Sequence, residues 1–98
     1  MNPFDLMKNM QNIQSQMQQM QSKLAVMRAT GSAGAGMVDV TINGKMEVQS
    51  IHISAEVVDP EDISTLEVLV ASAFNAAVKN IQDQLKTEAT SLAGGMNL

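Results

Sequence analysis

The sequence predicts an α+β chain in which two long helices flank a small antiparallel sheet. Three patterns carry that prediction. Residues 3–29 place apolar side chains at alternating steps of four and three. Residues 38–53 alternate apolar and polar side chains around an Asn-Gly pair. Residues 63–85 carry a wide apolar face at helical spacing. At 98 residues the chain has the length of one domain.

The first helix opens on Asn2 as cap, Pro3 at the first position and Asp5 in the first turn. Its apolar positions are Leu6, Met10, Ile13, Met17, Met20, Leu24 and Met27, a narrow seam with a 3.5-residue repeat. A helix over 3–29 is about 40 Å long, whereas a compact chain of this size has a radius of gyration of about 13 Å. The helix should overhang its own domain, and its seam would stay wet unless a second chain covered it. A homodimer with partly paired helices is therefore expected, and the seven seam residues are its candidate contacts. The flanking positions are mostly neutral (Met7, Asn9, Gln14, Gln16, Gln21), so charge does not set helix orientation. Six Gln between 11 and 21 suit a neutral solvated face, and Gln is also able to donate to phosphates.

Gly31-Ser32-Ala33-Gly34-Ala35-Gly36 reads as a linker over 31–36 that ends an arm helix spanning 1–30. A phosphate cradle would need Gly-Lys-Ser/Thr and a following helix, and neither is present. Val38, Val40 and Ile42 then predict a half-buried strand, and Asn43-Gly44 a tight hairpin turn. The apolar phase slips between Met46/Val48 and Ile51/Ile53, which predicts a bulge near Gln49-Ser50. The antiparallel sheet is expected over 37–54, with two or three strands. His52, the sole His, is expected on the strand surface.

Asp59-Pro60-Glu61-Asp62 predicts the start of the second helix, with Asp59 as cap. These acids lack the spacing of a calcium loop. Ile63, Leu66, Leu69, Val70, Ala73, Phe74, Ala77, Val78, Ile81 and Leu85 give its apolar face, and small residues from Ala71 to Ala77 allow close approach. The helix is expected over 59–91, ended by Gly94-Gly95, with a loose tail over 92–98.

Composition narrows the function. There is no Cys, so no disulfide framework and no thiolate metal site. Phe4 and Phe74 are the sole aromatics, too few for a base-stacking platform. Apolar runs fall short of the roughly 20 residues of a membrane span, and Met1–Asn12 lacks a signal-peptide pattern. A soluble cytoplasmic protein is expected. With one His and no motif of catalytic geometry, no enzyme, cofactor, metal site or small-molecule substrate is expected.

Several segments together are similar to a known family. They are the Met/Gln heptad helix, Thr30 to Val38 with its Gly-Ser-Ala-Gly-Ala-Gly core, and Val40-Thr41-Ile42-Asn43-Gly44. Ile51-His52-Ile53, Asp59-Pro60-Glu61-Asp62 and Ala73-Phe74-Asn75-Ala76-Ala77 follow in order. Over nearly the whole chain this resembles the YbaB/EbfC family of bacterial nucleoid-associated proteins. The resemblance implies an α-β-β-β-α protomer and a tweezer-like homodimer with projecting helical arms. It also implies binding of double-stranded DNA in the nucleoid, with a role in its organisation or in gene regulation. Ala76 and Asp39 depart from the family's usual acid and basic residue, respectively.

The net charge of −4 opposes DNA binding at long range, but its distribution favours the arm. Residues 1–30 carry +2, residues 31–62 carry −5 and residues 63–98 carry −1. The candidate DNA contacts are therefore Lys8, Gln16, Gln19, Lys23 and Arg28, with Lys79 and Lys86 on the second helix. Few cations imply modest affinity and little sequence specificity. The rival reading is a dimeric adaptor whose Met-rich arms grip helices of a partner protein.

Overall fold

The computed structural model of the chain describes residues 2–96, with side chains as far as residue 90. Its elements run α1 (Pro3–Val26), β1 (Ala29–Ala33), β2 (Val38–Ile42), β3 (Val48–Ile53) and α2 (Ile63–Met96), with a 3-10 turn at Ala55–Val57. The order is the α-β-β-β-α that the resemblance implied. The sheet is antiparallel with strand order β1-β2-β3.

Helix α1 starts as its sequence dictates. Asn2 Oδ1 accepts from the backbone N–H of Phe4 at 2.7 Å and of Asp5 at 3.1 Å. It stops at Val26, three residues before the expected end, because the chain enters β1 at Ala29. The segment expected as a linker is largely a strand: Gly31, Ser32 and Ala33 pair with Val40, Asp39 and Val38. The sheet thus begins at 29 rather than 37. Residues 34–37 make the turn, closed by Met37 N–H donating to Gly34 O at 3.2 Å, and Gly34, Ala35 and Gly36 take left-handed backbone angles.

Gly31 belongs in the strand for a packing reason. A Cβ there would lie 2.1 Å from Ala77 N and 2.2 Å from Ala73 O. The small residues of α2 therefore serve contact with the sheet. Ala73, Ala77 and Ile81, at steps of four, are fully buried against Ala29, Val38, Val40 and Ile42. Leu66, Leu69, Val70, Phe74 and Val78 border this core.

The hairpin after β2 forms, but not as a two-residue turn. Asn43 organises a longer loop: its Oδ1 accepts from Lys45 N at 2.9 Å and Glu47 N at 3.0 Å. Its Nδ2 donates to Glu47 Oε1 at 2.8 Å. Met46, not Gly44, takes the left-handed angle. Gly44 instead meets α1: its N–H donates to Leu24 O at 2.8 Å, the same distance a Cβ would have from that oxygen. The bulge falls where the phase slip placed it. Ile42 pairs with Val48 and Thr41 with Ser50, leaving Gln49 as the extra residue.

Helix α2 begins at Ile63, with Asp62 rather than Asp59 at its cap position; Asp62 Oδ1 accepts from Thr65 N at 3.3 Å. Asp59 shapes the preceding turn by accepting from Glu61 N and, through its carbonyl, from Asp62 N. The Thr65 hydroxyl and backbone N–H hold the Asp62 carboxyl below its usual range. The α2 backbone continues through Gly94-Gly95 to Met96, so the expected stop is not seen. Of the expected loose tail, residues 97 and 98 lie outside the described part of the chain.

Candidate nucleic-acid interface

α1 has no buried residue. It projects from the sheet as an arm, and the molecule measures 70 × 28 × 16 Å with a radius of gyration of 19.7 Å, against about 13 Å for a compact chain of this length. At 100° per residue, Lys8, Gln16, Gln19 and Lys23 fall within an arc of about 80° on α1. The seam from Leu6 to Met27 occupies an adjoining arc centred about 110° away. The polar candidates thus form a stripe of their own.

The cations differ in what holds them. Lys8 is exposed near the free end of α1, beside Phe4, Met7 and Gln11. Gln16 and Gln19 are exposed midway along it. Lys23 forms an ion pair with Glu88 of α2. Arg28 donates from Nη1 to Ala25 O at 2.8 Å and Met27 O at 2.9 Å, closing the end of α1. Lys79 and Lys86 are exposed on α2, seven residues apart and so on one face.

The seam divides in two. Leu6, Met10, Ile13, Met17 and Met20 are 50–63% exposed. Met20, Leu24 and Met27 border a small gap against Leu85 and Ala89 of α2. The base of the seam is therefore used within the chain, and its outer part is bare. Polar contacts hold the same junction: Gln84 Nε2 donates to Arg28 O at 3.1 Å, and Asn80 Nδ2 to Thr30 O at 2.7 Å.

The residues the sequence reading missed lie on β3. Val48, Ile51 and Ile53 pair with the buried Ile42, Val40 and Val38, which puts them on the same sheet face. Yet they are 47%, 49% and 37% exposed, because α2 lies over β1 and β2. Ile53 joins Leu66, Glu67, Val70, Ala71 and Phe74 around a groove of about 550 Å³. The apolar alternation of β3 signalled a buried face; nothing in the sequence showed that this chain's own helix leaves it uncovered.

The outer sheet face is polar. Thr30 and Thr41 share a hydrogen bond of 2.8 Å, Ser32 Oγ donates to Asp39 Oδ1, and His52 stands opposite Asp39, exposed as expected. Among the described residues, no helix is long and apolar enough to cross a membrane.

Three comparisons bear on this geometry. The family model of the YbaB/EbfC DNA-binding family matches residues 1–96. A nucleoid-associated protein of Clostridium kluyveri is 44% identical over 94 residues, covering 96% of this chain and 82% of the relative. Another, from Granulibacter bethesdensis, is 43% identical over 93 residues, covering 95% and 87%. The crystal structure of an uncharacterized protein from Helicobacter pylori superposes with a TM-score of 0.74. At 24% identity, covering 95% of this chain and 98% of that one, it supports the fold.

Proposed function

The chain belongs to the YbaB/EbfC DNA-binding family, which is not an enzyme family, and from that premise we propose that it binds double-stranded DNA as a homodimer. It acts in the cytoplasm on the nucleoid, with low sequence specificity, to organise DNA and influence gene expression. The family match across residues 1–96 carries this reading. The projecting arm supports it: Lys8, Gln16, Gln19 and Lys23 line one stripe, while the acids concentrate in residues 31–62. Two arms, one from each copy, straddle the duplex. Lys8, Lys23, Lys79 and Lys86 meet phosphates, Gln16 and Gln19 add polar contacts, and Arg28 stands at the base of the arm. Among the described residues no helix presents a set of base-reading side chains, so contacts to the backbone dominate.

Titrating a labelled duplex at increasing salt tests this. Affinity is expected to fall with salt at a log–log slope of about −3, for a few phosphates per dimer. Lys8→Glu with Lys23→Glu should weaken binding at least about tenfold. Salt-independent binding, or unchanged affinity in that variant, would move DNA to another surface. The bare Met-rich seam supports a second reading, a dimeric adaptor for partner helices. Capture of a protein partner that survives nuclease, with no duplex binding near 20 mM salt, would favour it.

A further inference from the structure

The loop between β2 and β3 holds the base of the arm. We infer that residues 43–47 are the seat that sets the direction of α1, with Gly44 as its contact and Asn43 as the residue that positions Gly44. The inference rests on the arm reading of DNA binding above and names what aims the arm at the duplex.

The turn itself does not require glycine at 44. Met46 takes the left-handed angle in this loop, and Gly44 is not among the positive-φ residues. Helix α1 requires it instead. Gly44 is buried, and a Cβ there would stand 2.8 Å from Leu24 O, 2.9 Å from Leu24 Cδ2 and 3.0 Å from Leu24 Cα. An ordinary C···O contact is about 3.4 Å. The bare α carbon lets the Gly44 N–H donate to Leu24 O at 2.8 Å. Within its own segment that carbonyl receives a longer bond, from Met27 N at 3.3 Å, as carbonyls at helix ends commonly do. The sheet loop therefore completes the end of the arm helix.

Asn43 fixes where the Gly44 amide points. It is the sole buried polar side chain among the described residues, at 3% exposed. Both of its side-chain polar atoms are spent on Lys45 and Glu47 inside the loop. Its N–H donates to Glu47 O at 3.0 Å, and its carbonyl accepts from Met46 N at 3.0 Å. It follows Ile42, which is fully buried, so the seat is continuous with the core.

Little else aims the arm. α1 has no buried residue. Among the described residues, its other polar tie to the body is the Lys23–Glu88 pair, whose side chains are 51% and 37% exposed; such surface pairs are weak. The base of the seam borders a gap of about 110 Å³ against α2, which leaves room to tilt. A rod held at one end is a lever. A Cβ at 44 needs about 0.6 Å of relief at Leu24 to regain ordinary contact. With α1 pivoting at Met27, Leu24 lies about 4.5 Å and Gln11 about 24 Å from the pivot. The displacement at Gln11 is then about 3 Å. The arm yields rather than the sheet, because the core beside the loop is buried and the arm is not.

Distances within the free protein test the seat. The chain has no Cys, so Gln11→Cys on α1 and Ser72→Cys on α2, both exposed positions, accept a pair of spin labels. Dilution into unlabelled chain isolates the distance within one protomer. Gly44→Ala should shift or broaden that distance by about 3 Å, whereas Glu88→Gln should change it by less than about 1 Å. Without labels, Gly44→Ala should weaken duplex binding at least about fivefold and keep its Tm within about 5 °C. A distance that Gly44→Ala leaves unmoved, or one that Glu88→Gln moves as far, overturns the seat. So does a moved arm with unchanged duplex affinity. An unaltered chain that binds no duplex overturns the DNA reading instead, and the distances still decide what directs the arm. Should Gly44→Ala unfold, hydrogen exchange decides. The Gly44 amide of the unaltered chain is expected to exchange at least about 100-fold more slowly than in an unfolded chain. Asn43→Asp sets a second carboxylate oxygen against Glu47 and should speed that exchange at least about tenfold. An unprotected Gly44 amide, or one indifferent to Asn43→Asp, overturns the inference.

Discussion

Gly31 decides how closely the long helix approaches the sheet. Its missing side chain admits the α2 backbone at Ala73 and Ala77, and the displaced atoms would be main chain, which cannot rotate away. Gly31→Ala should therefore cost about 3 kcal/mol or more, visible as a fall in Tm of more than about 10 °C. Asp62 acts through charge at the start of α2. Its hydroxyl and backbone donors on Thr65, with Ser64, hold its carboxyl below the usual value of 3.8. The stability it adds is thus complete above that value and is lost as pH falls through the lower folded pKa. Thermal melts between pH 7 and pH 2.5 should show this loss. Asp62→Asn should keep a cap and flatten the acid limb; an unchanged limb would remove the role assigned to the carboxylate.

At the scale of elements, α1 was the most legible, because a 3.5-residue repeat and an Asn-Pro start are local signals. The bulge at Gln49 was legible for the same reason: a phase slip is written in the strand itself. β1 was not. Glycines read locally as breakers, whereas Gly31 is strand because of pairing with Val40 and contact with α2, both distant in sequence. The start of α2 was misplaced because Asp59-Pro60 and Asp62 both fit a start signal, and the Thr65 contact decides between them. The candidate cations could be named from sequence, but the Lys23–Glu88 pair joins two elements and could not. On the proposal that Lys23 meets phosphate, that pair makes Glu88 its competitor. Glu88→Gln should strengthen duplex binding about two- to threefold while changing stability by less than about 1 kcal/mol. Anisotropy titrations beside thermal melts would show it, and a weaker-binding variant would contradict it.

For the whole molecule, the exposed arm and the half-covered sheet express one shortage. A chain of 98 residues spends 24 of them on a helix with no buried residue, and among the described residues its buried core is seven apolar residues, three of them Ala. Such a core is marginal for a domain standing alone. In the homodimer proposed above, assembly would supply the missing burial and also duplicate the arm, so that stability and the proposed two-armed DNA clamp would have one origin. Sedimentation of one sample, alone and then with a short labelled duplex at about 20 mM salt, tests that union most directly. A species of twice the 10.5 kDa chain mass that carries the duplex with it is expected. A well-folded single chain, or a duplex that sediments as if the protein were absent, would contradict it.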